Sequence, residues 1–285
     1  PFVVVLGTAQ DGGRPQAAEE QGTPSQRRRP RRAHVACLAL VAPERGRRWM
    51  IDATPDFPAQ LAALDRLSGP SGPPPGLDGI FLTHAHIGHY TGLMHLGREV
   101  IGAHAVPVWV MPRMSRFLAT SGPWSQLVEL DNIRLRPLTA GKAVDLGHGL
   151  TVTPLPVPHR DEFSETVGFL IEGPHRRVLY VPDIDKWSRW ERPLPDLLAS
   201  VDRAYLDGTF LDATELPGRS MADIPHPFIV ETLALLSDVP ATDRAKVFFI
   251  HLNHTNPAGE RHGPAARRIR AAGMHVAREG ERFGL

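Results

Sequence analysis

At 285 residues, 42% of them hydrophobic, the chain is long enough to close a large layered core, and an α/β enzyme of this length fits within one domain. Lysine and arginine together number 32 against 31 aspartates and glutamates, a net charge of +1, so no overall field draws the molecule toward nucleic acid or a membrane surface. One cysteine, Cys37, excludes an internal disulfide, and no run of about 18 apolar residues marks a membrane-spanning helix.

In chain order, β-branched runs at residues 2–6, 35–41 and 49–52 predict strands, the last two joined by a turn at 43–46. Cys37 lies in the run VACLAL, where a small buried side chain suits a strand better than a reactive thiol would. Asp11-Gly12-Gly13 and the polar stretch after it are loop by composition, and the basic run Arg27-Arg28-Arg29-Pro30-Arg31-Arg32 reads as a solvated loop in preference to a contact for a phosphate-bearing substrate. A helix is expected over 55–67, and GPSGPPPG at 69–76 is too stiff and too poor in donors to be anything but a connector. Residues 79–83 predict a buried strand that runs into HAHIGHYTGLMHLG, whose latter half has helical spacing. Further strands are expected at 150–155, 166–171, 178–181 and 247–250, a hairpin turn at Gly173-Pro174-His175, and helices near 228–236 and 264–272. Two strand-rich halves, about 1–149 and 150–285, predict a single domain of the α/β (α+β) class, with two sheets face to face and helices outside. Because the chain opens at Pro1 without Met, a targeting segment removed upstream is one reading and a cytoplasmic location the default one.

Histidine carries the chemistry. A neutral imidazole offers a lone pair at neutral pH, and several must converge to hold a divalent ion. Thr83-His84-Ala85-His86-Ile87-Gly88-His89 supplies three directly after an apolar strand. Alternation places His84 and His86 on one side of the extended chain, and the start of a helix swings His89 back toward them. A lone histidine would be an ordinary loop residue, whereas three at this spacing read as metal ligands. His159, Asp183 and His251 each follow an apolar run, at the rim where a sheet delivers reactive groups.

In this order the residues resemble the metallo-β-lactamase superfamily: HAHIGH is similar to its HxHxDH motif, Asp52 in WMIDATPD to the acidic residue before it, and His159, Asp183 and His251 to its later His, Asp and His. Within the superfamily, VLGTAQDGGRPQ, IFLTHAHIGHYTGL and FIHLNHTNP resemble the branch of PQQ biosynthesis protein B, near the phosphodiesterase and tRNA-processing members. The resemblance implies an αββα sandwich with a metal site at one edge of the paired sheets. It implies that His84, His86 and His159 hold one metal and His89 and His251 a second, with Asp183 bridging and Asp52 orienting a ligand from behind. Two departures stand out. Gly88 replaces the motif aspartate, so the second position is expected to be weaker or differently completed, most economically by His254. Asp11 and Asp185 are further candidates for that role, although they read first as a loop turn and a cap. The stretch PQAAEEQGTPSQ also lacks the cysteine-rich structural metal motif of the PQQ protein.

A metal so held would lower the pKa of bound water from roughly 15.7 to about 7, which makes hydrolysis of a small ester, lactam or phosphodiester the leading expectation. Zinc, as one or two ions, suits the nitrogen-rich set best, while iron or manganese would accept the same ligands. His254 and His226 are candidates for protonating a leaving group beside the bridging Asp183. Asp207 and Thr209, in YLDGTF, either line the pocket or form an Asp-Gly turn, and Trp124 and Trp187 read as packing residues. His34, His95, His104, His148, His175 and His262 have no partner pattern and read as structural. The branch resemblance supplies the alternative of an iron- and oxygen-dependent oxidoreductase acting on a cofactor precursor. A third reading is a degenerate site kept for partner binding. The substrate is expected to be a small molecule; β-lactams are disfavoured, because fold does not fix substrate. Without a long basic arm or aromatic-basic interleaving, nucleic acid is not expected as a partner, and the oligomeric state is not legible.

Overall fold

Strands in which nearly every residue is apolar require cover on both faces. In β1 (Phe2–Gly7), Val3 and Val5 point into a core between two sheets, while Val4 and Leu6 point outward beneath helices. The same division holds in β2 (Cys37–Ala42), where Leu38 and Leu40 face the other sheet and Cys37 and Ala39 the helices. Cys37 is fully buried, and burial pushes its thiol well above its ordinary pKa, so it is a packing residue.

The computed structural model describes residues 1–17, 32–215 and 224–285; residues 27–31 of the basic run lie outside them. After β2 the first sheet continues with β3 (Arg47–Ile51), β4 (Gly79–Phe81), β5 (Val106–Val110) and β6 (Ile133–Pro137). The second is built from β7 (Val144–Gly147), β8 (Leu150–Pro156), β9 (Val167–Glu172), β10 (Arg177–Val181), β11 (Arg203–Asp207), β12 (Val247–Ile250) and β13 (His275–Val276). Last comes β14 (Arg282–Gly284), which returns to pair antiparallel with β1, Phe2 opposite Gly284. The spatial orders are β14-β1-β2-β3-β4-β5-β6 and β13-β12-β11-β10-β9-β8-β7.

Between the sheets, Leu40, Trp49, Ile51 and Phe81 meet Val152, Phe169, Tyr180 and Ile250. The first sheet's outer face is covered by α1 (Phe57–Ser68), the single-turn α2 (Ile87–Tyr90), α3 (Pro112–Thr120) and α4 (Trp124–Glu129), through side chains such as Phe57, Leu64, Met114 and Leu127. On the second sheet lie α5 (Leu194–Ser200), α6 (Ile229–Leu235), α7 (Ala241–Arg244) and α8 (Pro264–Ala271), with Leu198, Ile229 and Ile269 packed inward. The layers therefore run helix, sheet, sheet, helix. Each fully buried Val, Leu, Ile or Phe contributes about 1.5–3 kcal/mol, so these three interlayer cores dominate stability. No helix among the described residues is long and apolar enough to cross a membrane.

Two local features depart from simple pattern reading. The donor-poor connector at 69–76 is fastened by the buried Arg48, which donates to the Gly76 carbonyl at 2.7 and 2.9 Å and to the Gly69 carbonyl at 2.8 Å, and pairs with Asp65 at 2.7 Å. After the histidine motif, the chain makes only one α-helical turn before 3-10 turns over Thr91–Leu96. The close approach of Gly92 to the preceding strand end, its N–H donating to the Ala53 carbonyl at 2.9 Å, ties the backbone down before a longer helix can form.

β3 and β4 run parallel, as do β10, β11 and β12, and their carboxyl ends share one rim. Rims of this kind are where open α/β sheets hold ligands.

Candidate metal centre

Each half of the molecule sets its histidines with an Asp-Thr pair. Asp52, directly after β3, accepts from the Thr83 backbone N–H at 2.8 Å and from its hydroxyl at 3.0 Å. With its proton given to Asp52, Thr83 Oγ1 accepts from His84 Nδ1 at 2.9 Å, and Asp52 Oδ2 accepts from His89 Nδ1 at 2.8 Å. In the other half, Asp207 accepts from the Thr209 N–H at 2.9 Å and hydroxyl at 2.7 Å, and Thr209 Oγ1 accepts from His251 Nδ1 at 3.0 Å. Both arrangements fix the tautomer, leaving the Nε2 lone pairs of His84, His89 and His251 facing the centre. His159 is held similarly, its Nδ1 3.2 Å from Asp185. Asp52 and His251 adopt left-handed backbone, φ 71 and 62, which turns each side chain back from its strand end.

One carboxylate oxygen is the hub. Asp183 Oδ2 lies 3.2 Å from His159 Nε2, 3.4 Å from His84 Nε2, 3.9 Å from His86 Nδ1 and His89 Nε2, and 4.0 Å from His251 Nε2. Asp11 Oδ1, from the loop after β1, lies 3.3 Å from His89 Nε2 and 3.5 Å from His251 Nε2. Three donor groups result: His84, His86, His159 and Asp183; Asp11, His89 and His251; and Asp183, Asp207 and His226.

The first two groups fit a metal. The buried atoms His84 Nε2, His89 Nε2, His251 Nε2, Asp183 Oδ1 and Asp11 Oδ1 have no hydrogen-bond partner, a costly state for five polar atoms in one place unless an ion satisfies them. Donors around a tetrahedral ion with bonds near 2.0–2.1 Å stand about 3.3 Å apart, which matches the shorter separations here.

Without a metal, the charges brace one another. Burial opposes ionisation of Asp183, yet His159, His226 and His251 outweigh it and hold the carboxyl well below its usual range. Burial likewise opposes charge on His89, but Asp52 and Asp11 raise it well above an ordinary histidine. His84 is pushed down by burial and by His89. Just outside the two clusters, His226 Nδ1 lies 2.9 Å from Asp207 Oδ2 and 3.2 Å from Asp183 Oδ1; despite burial, these carboxylates lift it to about 9.

Of the residues expected from sequence, His84, His86, His89, His159, Asp183 and His251 all converge, Asp52 bonds His89, and His226 stands beside Asp183. His254 is the exception, being in none of the groups found among the described residues. Past His251 the chain is pinned to neighbours through the Leu252 and Asn253 N–H groups, and Asp11 takes the place beside His89 that His254 was expected to take. Asp185 also stands behind the centre, bonded to His159 and to Arg189 at 2.9 Å. Sequence reasoning missed the two threonine hydroxyls as positioning groups; the strand-end phrase Asp207-Gly208-Thr209 was a local signal for one, while Thr83 meets Asp52 from 31 residues away and offered none.

A family model described as a beta-lactamase superfamily domain matches residues 47–252. The chain belongs to the metallo-β-lactamase superfamily. Among curated superfamily relatives, it is 28% identical over 268 residues to coenzyme PQQ synthesis protein B of Methylobacterium nodulans, covering 84% of each chain. Among solved structures, zinc-bound PqqB from Methylobacterium extorquens superposes with a TM-score of 0.80 at 22% identity, all of both chains covered. A diphosphatase of the PhnP family gives 0.67 at 20% identity, covering 99% of this chain and 96% of that one. These two share the fold described above.

Proposed function

We propose that the chain is a metal-dependent enzyme that transforms a small cofactor precursor in the manner of coenzyme PQQ synthesis protein B. Two things support this: the curated relatives of that name, and the single observation that carries the metal reading, five buried polar atoms without hydrogen-bond partners gathered in the two groups around Asp183 and Asp11. His84, His86 and His159 would hold one ion and His89 and His251 a second, with Asp183 between them. Zinc suits the donors and is the metal bound in the Methylobacterium extorquens protein; iron would take the same set. When bound, such an ion supplies Lewis acidity and a water acidic enough to ionise near neutral pH.

The chain's own residues do the rest. Asp52, Thr83, Thr209 and Asp185 fix the rings, and Asp207 holds His226 by its Nδ1 beside Asp183. Asp207, 2.9 Å from His226 Nδ1, favours the protonated ring and makes His226 the candidate proton donor.

Two reaction classes follow. The curated relatives, named for the synthesis of a coenzyme, favour work on a cofactor precursor, for which the branch resemblance suggests iron- and oxygen-dependent oxidation. The His226–Asp207 pair, a proton donor beside the metal position, favours hydrolysis of a small ester or phosphodiester. Metal analysis of protein purified without added metal, with oxygen uptake and bis(4-nitrophenyl) phosphate hydrolysis measured in parallel, separates them. Bound iron with oxygen consumption supports oxidation; stoichiometric zinc with diester cleavage supports hydrolysis. If a His84→Ala, His86→Ala variant kept full metal content, both would be wrong.

A further inference from the structure

We propose that the metal-binding carboxylate which the superfamily places inside its histidine motif has moved to the first loop of this chain, so that Asp11 completes the second metal position and Gly88 exists to admit it. The inference rests on the metal reading above and assigns a residue that the motif does not contain.

Space gives the first argument. A Cβ built on Gly88 would stand 2.6 Å from the Asp11 Cα and 2.7 Å from its Cγ, with the carboxylate oxygen nearer still. Those contacts are with backbone and a short side chain that have no slack, so a side chain at 88 and the present Asp11 exclude each other. Gly88 has no positive φ, and the missing volume is its only special feature.

The second argument is how the loop is held. Ala9 bridges in parallel to both Val35 and Leu252. The Gln10 N–H donates to the Leu252 carbonyl at 2.8 Å, the Leu252 N–H to the Thr8 carbonyl at 2.8 Å, and the Ala36 N–H to the Ala9 carbonyl at 2.7 Å. A turn closed by the Gly13 N–H on the Gln10 carbonyl, 2.7 Å, then presents Asp11 inward. This lattice runs directly beside His251, so Asp11 is delivered by rigid backbone. Its Oδ1 is buried, lacks a hydrogen-bond partner, and faces the two imidazoles that would otherwise share the second ion with Asp183 alone. A carboxylate in that state is spare coordination capacity.

Zinc uptake by four purified chains tests the proposal: wild type, Asp11→Asn, Gly88→Asp, and Asp11→Gly combined with Gly88→Asp. Each is dialysed against a zinc buffer, its metal counted by mass spectrometry, and its melting recorded in chelator. Wild type is expected to hold two ions, and the isosteric Asp11→Asn about one, with affinity for the other weakened by more than the roughly 10–100-fold that losing a merely supporting group costs. Gly88→Asp alone should melt lower through collision with Asp11, and the double variant should recover both melting temperature and second ion. Unchanged uptake by Asp11→Asn, or a double variant that melts no higher than Gly88→Asp alone and regains no second ion, would overturn the inference and leave the first metal group standing. Wild-type protein that took up no zinc would overturn this inference and the metal reading together.

Discussion

A histidine that donates a proton must keep one tautomer and stay charged until the proton is needed. His226 has support for both in Asp207, which bonds Nδ1 and favours the charged ring against its burial. His226→Ala is therefore expected to lower kcat by about 10²–10⁴-fold while metal content, read by mass spectrometry, stays at the wild-type level. A parallel loss of metal would mean that the residue is a ligand. The ligand histidines predict a second pH effect. Burial disfavours charge on His89 and His159, but Asp52 and Asp11 in one case and Asp183 in the other win, and both are raised. Before a metal enters, each therefore keeps a proton to higher pH than an ordinary histidine, and the ion must displace it. Metal affinity should thus increase with pH by about tenfold per unit for each proton displaced, and acid should strip the site. Zinc titration in weak buffer with an indicator dye reads the released protons directly; pH-independent binding without release would contradict the assignment.

At the scale of elements, ligand placement depends on what stands behind the strand ends. Thr209→Val keeps shape but removes the hydroxyl between Asp207 and His251, so its ring loses its fixed tautomer. A 10–100-fold weaker second metal with little change in far-ultraviolet circular dichroism is expected, measured by competition with a chromogenic chelator. The strands were legible in the sequence because apolar runs such as VVVL and VLYV admit few other readings once both faces are buried. His84, His86 and His159 were legible because a polar residue ends such a run. Asp11 was legible only as a candidate ranked behind His254, since its nearness to His251 arises from backbone pairing between segments about 240 residues apart, which no local pattern encodes. The stretch after the motif was misjudged for a related reason: its spacing is helical, but contact with Ala53 keeps it to a turn and a 3-10 segment.

For the whole molecule, the centre joins loops of both sheets: Asp11 and the histidine motif from the first, His159, Asp183 and His251 from the second. An ion there stabilises their apposition by mass action, about 4 kcal/mol at a thousandfold excess over Kd, or roughly 10 °C in a chain of this size. Chelator should lower Tm by about that amount and added zinc restore it, followed by calorimetry; identical melting with and without chelator would contradict a structural contribution from metal. The sheets also differ from a bare pair of ribbons at their margins. β6 turns Arg134, Arg136 and Pro137 outward, β7 has four residues and a break in register, and β13 and β14 have two and three residues. Charge, proline and brevity leave little unpaired backbone for a neighbouring copy to annex, so a protein with two seven-stranded sheets carries its own defence against sideways growth into fibrils.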